Sequence, residues 1–138
     1  MTNKLIIIIV LVFGFQSCQI AQKGELFTIY LVRHSEKDLT SENEADPPLT
    51  KCGKQRSQSL SIFLEDVKLD AVYSTDYNRT INTAKPTANS KELKIEKYNP
   101  RDLVGFSKLL IDAEKDMLVV GHSNTTVSYT HLTLPTRD

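Results

Sequence analysis

Phe27-Thr28-Ile29-Tyr30-Leu31-Val32 is a β-branched and aromatic run that stops abruptly at Arg33-His34-Ser35-Glu36. A short apolar run of this composition reads as a buried strand. Lys37 to Pro48 is polar, acidic and closed by two prolines, so it leads away from that strand as a surface loop. Thr50 offers an N-cap for a helix reaching about Asp66, with Leu60, Ile62, Phe63 and Leu64 as its apolar positions and Gly53 a weak point in its first turn. The pattern then repeats. Leu69 to Ser74 reads as a strand, and Tyr77 to about Ala88 as a helix that turns Ile81 and Ala84 inward, with Pro86 expected to bend or end it. Ile95 to Tyr98 reads as a third strand. Arg101 to Ala113 carries Leu103, Val104, Phe106, Leu109, Leu110 and Ile111 at roughly helical spacing, and Met117 to Val120 is a further apolar strand. Strands alternating with helices imply an α/β sheet covered on both faces.

The 138-residue chain suits one domain, and its 17 basic and 17 acidic side chains cancel, which makes electrostatic capture of nucleic acid a poor first guess. Its 40% apolar and 25% charged residues are ordinary for a globular protein. The densest apolar stretch is N-terminal: Lys4 precedes an almost unbroken run from Leu5 to Phe15. A helix of that length covers roughly half of a ~30 Å hydrocarbon core, so the run suits a signal peptide better than a permanent span. Phe15-Gln16-Ser17-Cys18 resembles a relaxed bacterial lipobox. That resemblance implies residues 1–17 as a lipoprotein signal peptide, a lipidated Cys18, a tether over 18–26, and a protein exported to the periplasmic side of a bacterial membrane. The competing reading pairs Cys18 with Cys52 in one disulfide. Otherwise Cys52 is expected to be a small buried or half-buried residue.

In open α/β sheets, functional residues gather beyond the carboxyl ends of strands. Three strands run into chemically rich sequences: Arg33-His34-Ser35-Glu36, Ser74-Thr75-Asp76-Tyr77-Asn78-Arg79 and Gly121-His122-Ser123-Asn124. Before residue 127 the chain has two histidines, and each directly follows an apolar strand. Two histidines and two arginines can therefore converge.

Leu31-Val32-Arg33-His34, Leu49-Thr50 with Gly53, Tyr73-Ser74-Thr75 through Arg79-Thr80 and Thr83-Ala84, and Val120-Gly121-His122-Ser123 resemble the histidine phosphatase superfamily, also called phosphoglycerate mutase-like. The resemblance spans about residues 27–126 and implies a three-layer αβα sandwich around a mostly parallel sheet. It also implies a phosphatase without metal or cofactor, acting on a small phosphorylated compound or a phosphoprotein. By the same resemblance His34 is the nucleophile, Arg33 and Arg79 clamp the phosphoryl group, and His122 is the second pocket histidine. These residue types suit the chemistry, because phosphoryl transfer needs preorganised donors around charge spread over three oxygens, and guanidinium forks match phosphate bidentately. Ser35 and Asn124 are further candidate donors to phosphate.

A leaving alkoxide needs a proton, and Asp102, Glu36 and Asp76 are the candidate acids, with Asp102 favoured from its loop position. A competing reading makes His34, Glu36 and His122 ligands of a metal in a hydrolase, although two neighbouring arginines oppose a divalent cation. Another makes the pocket a noncatalytic binder of phosphorylated ligands. Past Gly-His-Ser the family usually continues into an apolar helix. Here Val127-Ser128-Tyr129-Thr130-His131-Leu132-Thr133-Leu134-Pro135-Thr136 resembles the translation of a transposase sequencing adapter. The expectation is a non-native tail over 127–138, with the domain at 27–126 lacking its C-terminal part and His131 outside the chemistry.

Overall fold

Alternating strand and helix segments assemble as the sequence pattern requires. The computed structural model describes residues 26–126. In chain order these form β1 (Ile29–Arg33), α1 (Lys51–Phe63), β2 (Ala71–Ser74), α2 (Asn78–Ser90), β3 (Ile95–Lys97), α3 (Leu103–Ala113) and β4 (Met117–Gly121). The signal peptide, Cys18, nearly all of the tether and the 127–138 tail of the sequence reading lie outside the described residues.

The four strands form one parallel sheet in the order β1-β4-β2-β3. The last strand is therefore inserted between the first two, and the ends of β1, β4 and β2 stand side by side. β4 is buried along its whole length, as expected for a strand covered on both faces. One face packs Tyr73, Phe106, Leu110, Met117 and Val119 beneath α3. The other packs Leu64, Val72, Ala84, Ala88, Leu118 and Val120 beneath α1 and α2. Each fully buried aliphatic of this kind contributes about 1.5–3 kcal/mol. The result is the three-layer α/β arrangement expected from the sequence.

Several local expectations change. Pro86 does not end α2, which runs on to Ser90; the proline removes only the hydrogen bond its own amide would have given. In α1 the buried side is polar and small, with Gly53, Ser57 and Ser61, while Ile62 and Phe63 are 62% and 76% exposed. Cys52 is exposed rather than buried, being on the solvent side of the first turn of α1.

Two glycines permit close approach near the strand ends. A Cβ on Gly53 would lie 3.1 Å from the Glu36 amide nitrogen and 3.2 Å from its carbonyl carbon, nearer still to the carbonyl oxygen. Thr50 caps α1, its Oγ1 accepting from the Gly53 N–H at 2.9 Å, while its own N–H donates to the Glu36 carbonyl at 2.9 Å. The weak point seen in the sequence is thus where α1 meets the loop after β1. A Cβ on Gly121 would collide with the Tyr98 hydroxyl and Thr125 Oγ1, which crowd the end of β4.

Candidate active site

Arg33 and His34 leave β1, Thr75 to Arg79 leave β2, and His122 leaves β4, so adjacent strand ends deliver them to one rim. The His34 N–H donates to the Gly121 carbonyl at 2.9 Å, tying the first histidine's backbone to the strand that carries the second. The two imidazoles lie edge to face with centroids 5.5 Å apart. Tyr77 meets His122 edge-on at 5.0 Å, and the Arg79 guanidinium stands 4.4 Å from the Tyr77 ring centroid. An open cleft of about 530 Å³ is lined by Arg33, His34, Lys37, Tyr77, Arg79, Pro100, Arg101, His122, Ser123 and Asn124. That volume falls within the ~300–1,000 Å³ of small-molecule sites.

His34 Nδ1 lies 2.7 Å from the Ser35 carbonyl, an acceptor, so this nitrogen carries the ring proton and the Nε2 lone pair is left for attack. The Ser35 peptide is itself held. Its N–H donates to Thr83 Oγ1 at 2.9 Å, and Thr83 donates to the Arg79 carbonyl at 2.7 Å. Burial holds the His34 pKa below its ordinary value, with Arg79, Arg33 and Lys37 acting in the same direction and the Ser35 hydrogen bond opposing them. His34 is therefore unprotonated at neutral pH.

A second hydroxyl chain orients His122. Thr80 Oγ1 donates towards the carbonyls of Thr75 and Tyr77, Thr75 Oγ1 donates to Thr80 Oγ1 at 2.9 Å, and His122 Nε2 lies 3.1 Å from Thr75 Oγ1. With the Thr75 proton engaged on Thr80, His122 donates from Nε2. Burial, then the fields of Arg79, His34 and Arg33, bring its pKa down to about 4, with Asp46 acting the other way.

Arg79 is fixed by a residue that the sequence did not single out. Asp46 Oδ1 accepts from Arg79 Nη1 at 3.2 Å, and both its oxygens accept the Asn78 N–H at 2.9 and 3.0 Å. Asp46 thereby caps α2 from a distant loop, in place of Tyr77, whose side chain makes no cap. The Arg79 Nε is buried and makes no hydrogen bond, an unspent charged donor in a cleft-lining guanidinium.

A family model described as the histidine phosphatase superfamily (branch 1) matches residues 29–99. The chain belongs to the histidine phosphatase superfamily. Its fold is similar to that of the protein histidine phosphatase SixA complexed with tungstate, at 16% identity over 79% of this chain and 78% of that one, with a TM-score of 0.66. It is also similar to a putative phosphohistidine phosphatase SixA from Agrobacterium tumefaciens (17% identity, 78% and 76% covered, TM-score 0.65). A third similar structure is a phosphoglycerate mutase from Bacillus anthracis (19% identity, 78% and 80% covered, TM-score 0.59). No curated protein matches the sequence.

Within this superfamily member, His34, Arg33, Arg79, His122 and Asn124 come together at the cleft, Ser35 and Glu36 line an adjoining cavity that shares Arg33, His34 and Lys37, and Asp102 and Asp76 line neither. Asp102 is exposed and spends its carboxylate capping α3, Oδ1 accepting from the Gly105 N–H at 3.0 Å; it does not line the cleft. Glu36 pairs with Arg56 at 2.6 Å and Asp76 with Lys97 at 2.7 Å. Ser35 is buried, its Oγ accepting from Ser57 Oγ at 3.2 Å, and its backbone holds the site through the His34 and Thr83 contacts. The metal-ligand set of His34, Glu36 and His122 does not assemble: among the described residues no three His, Cys, Asp or Glu side chains are grouped to hold a metal ion. Asp46, Thr75, Thr80 and Thr83 were missed as site residues; Thr75, Thr80 and Thr83 lay within the family-like stretch, whereas Asp46 gave no local signal.

Proposed function

We propose that this protein is a phosphatase that transfers a phosphoryl group to His34 Nε2 and then to water. The observation that carries the reading is the Nδ1 contact to the Ser35 carbonyl, which leaves Nε2 as the free nucleophile beside Arg33, Arg79 and His122. Arg33 and Arg79 match the phosphoryl oxygens as the P–O or P–N bond of the substrate breaks and the N–P bond forms. Burial first, and then the guanidinium fields, keep His122 neutral; an arriving dianion opposes those fields, so binding favours an imidazolium that donates to the transferring group. In the second step water attacks phosphorus, and His34 departs neutral because its proton already sits on Nδ1.

The leaving group narrows the substrate class. Among the described residues no carboxylate lines this cleft: Asp102 and Asp76 are engaged elsewhere, and Glu36, paired with Arg56 through Oε1 and with Oε2 buried and unpartnered, lines the adjoining cavity beside Arg33, His34 and Lys37. Leaving groups that need no proton from the enzyme are thereby favoured over alkoxides. A phosphohistidine qualifies, since an imidazole protonated on its other nitrogen leaves neutral. Hydrolysis is favoured over mutase chemistry by the open cleft, which gives water access to the phosphoenzyme. A placement outside the cytoplasm on lipidated Cys18 belongs to the same proposal and rests on the N-terminal sequence pattern; its signature is palmitate labelling that Cys18→Ala abolishes.

Acid-quench trapping with ³²P-labelled phosphoramidate tests the mechanism. The wild-type protein should give an acid-labile label that is insensitive to chelator, and His34→Ala should give none. Equal labelling of the two proteins, or turnover without any label, would overturn the assignment.

A further inference from the structure

The cleft carries more positive charge than the proposed phosphoryl group requires. Arg33, Lys37, Arg79 and Arg101 line it, and among the described residues no acid does. Arg33 and Arg79 suffice to match a phosphoryl dianion, and Arg79 is further balanced by Asp46. Lys37 and Arg101 are left over. Of the nearby acids, Asp76 pairs with Lys97 and Glu36 pairs with Arg56 through Oε1 while its Oε2 stays buried and unpartnered in the adjoining cavity; neither surplus cation has an ion-pair partner among the described residues.

Both surplus cations sit on backbone that is held in place. Lys37 forms an isolated antiparallel bridge with Leu49, and the following Asp38 N–H donates to the Pro48 carbonyl at 2.8 Å. The Arg101 N–H donates to Asn99 Oδ1 at 3.0 Å, and the Asp102 N–H donates to the Asn99 carbonyl at 3.2 Å, closing a tight turn. These loops follow β1 and β3, the two outer strands, so the cations reach one cleft from opposite sides of the sheet. The cleft's volume leaves space beyond a phosphoryl group for a substituent on the leaving group.

We propose that Lys37 and Arg101 form a second anion subsite, and that the substrate carries a further negative group, a carboxylate or a second phosphoryl, on its leaving-group side. This deepens the phosphatase reading and rests on it for the position of the transferred phosphoryl. An unpaired cation on a cleft wall costs little while it is hydrated. It gains a partner only when a ligand supplies one, and so it separates ligands by charge more than by raw affinity.

The test uses analogues that cannot be hydrolysed, phenylphosphonate and 4-carboxyphenylphosphonate, with Kd measured by calorimetry on the full chain at low and high salt. Wild type should bind the carboxylated analogue about tenfold more tightly at low salt, with the preference shrinking as salt rises. Lys37→Gln and Arg101→Gln should each reduce that ratio about threefold, and the double variant should bring it close to one. Lys94→Gln removes an equal charge outside the cleft and should keep the wild-type ratio. A wild-type ratio near one, or a ratio unchanged in the double variant, would overturn the subsite. Because binding is read without turnover, that failure is distinct from the absence of a phosphoenzyme.

Discussion

Replacing Gly53 by Ala offers a sharp test of how α1 supports His34, the proposed nucleophile. The added Cβ would sit 3.1 Å from the Glu36 nitrogen and 3.2 Å from its carbonyl carbon, and would overlap the oxygen that accepts the Thr50 N–H. Backbone cannot swing aside as a side chain can, so relief requires a shift approaching ~1 Å in α1 or in the Glu36 peptide, an overpacking cost of about 1–3 kcal/mol. Alanine's helix propensity returns a few tenths of a kcal/mol in this first turn, against the up to ~1 kcal/mol of a helix interior, leaving a net loss of about 1–2 kcal/mol. For a domain of this size that corresponds to a fall in Tm of about 5–15 °C. The Glu36 peptide adjoins Ser35, whose carbonyl holds His34 Nδ1. A displacement of that size at a reacting group costs about 10²-fold in rate. Thermal melts and phenyl phosphate turnover below the melting range measure both effects. A variant that melts at or above wild type, or one that melts lower yet keeps wild-type kcat, would refute the coupling between the Gly53 contact and the nucleophile.

Two further predictions rest on charge. His122 has a folded-state pKa near 4 against an ordinary 6.5, so as pH falls the unfolded chain takes up the proton first; its share of stability is lost between about pH 6.5 and about 4. Urea midpoints at pH 7.5 and 5 should therefore fall further in wild type than in His122→Gln, and an identical pH dependence would refute the assignment. Asp46→Ala removes the distant cap of α2 together with the partner of Arg79, and should lose about 1–2 kcal/mol in urea unfolding, whereas Asp46→Asn, which keeps an acceptor for the Asn78 N–H, should lose less than half as much. Equal losses in the two variants would show that the cap is not what Asp46 contributes.

The alternation of apolar runs with polar loops makes the layers, the strand sequence and the rim of the sheet legible in the sequence itself. Arg33-His34 and Gly121-His122 each stood directly after such a run, and parallel pairing of β1 with β4 places the two histidines in contact. What sequence pattern missed depends on contacts between distant segments. Asp46 reaches Arg79 across 33 positions, and nothing local in an acidic loop distinguishes it from its solvated neighbours. Asp102 stood in a plausible donor loop, but a carboxylate three residues before an exposed helical amide finds a nearer use as a cap. In α1 apolar periodicity held for Leu60 and Leu64, which reach the core, and misled for Ile62 and Phe63, because Gly53, Ser57 and Ser61 face the loop after β1 and the neighbouring α2, Ser57 bonding Ser35 and Ser61 bonding Ser90.

The position of β4 has a consequence for how the chain becomes an enzyme. Its partners on one side lie some 88 positions earlier, as in Ile29↔Met117, while on its other side it joins β2. Until that strand slots into the gap, the two imidazoles belong to segments with no fixed relation, and β1 has no neighbour at all. Long-range parallel pairing is slow to form. A nascent or partly denatured copy thus keeps Arg33-His34 apart from His122, and the paired imidazoles meet only with the closing of the sheet.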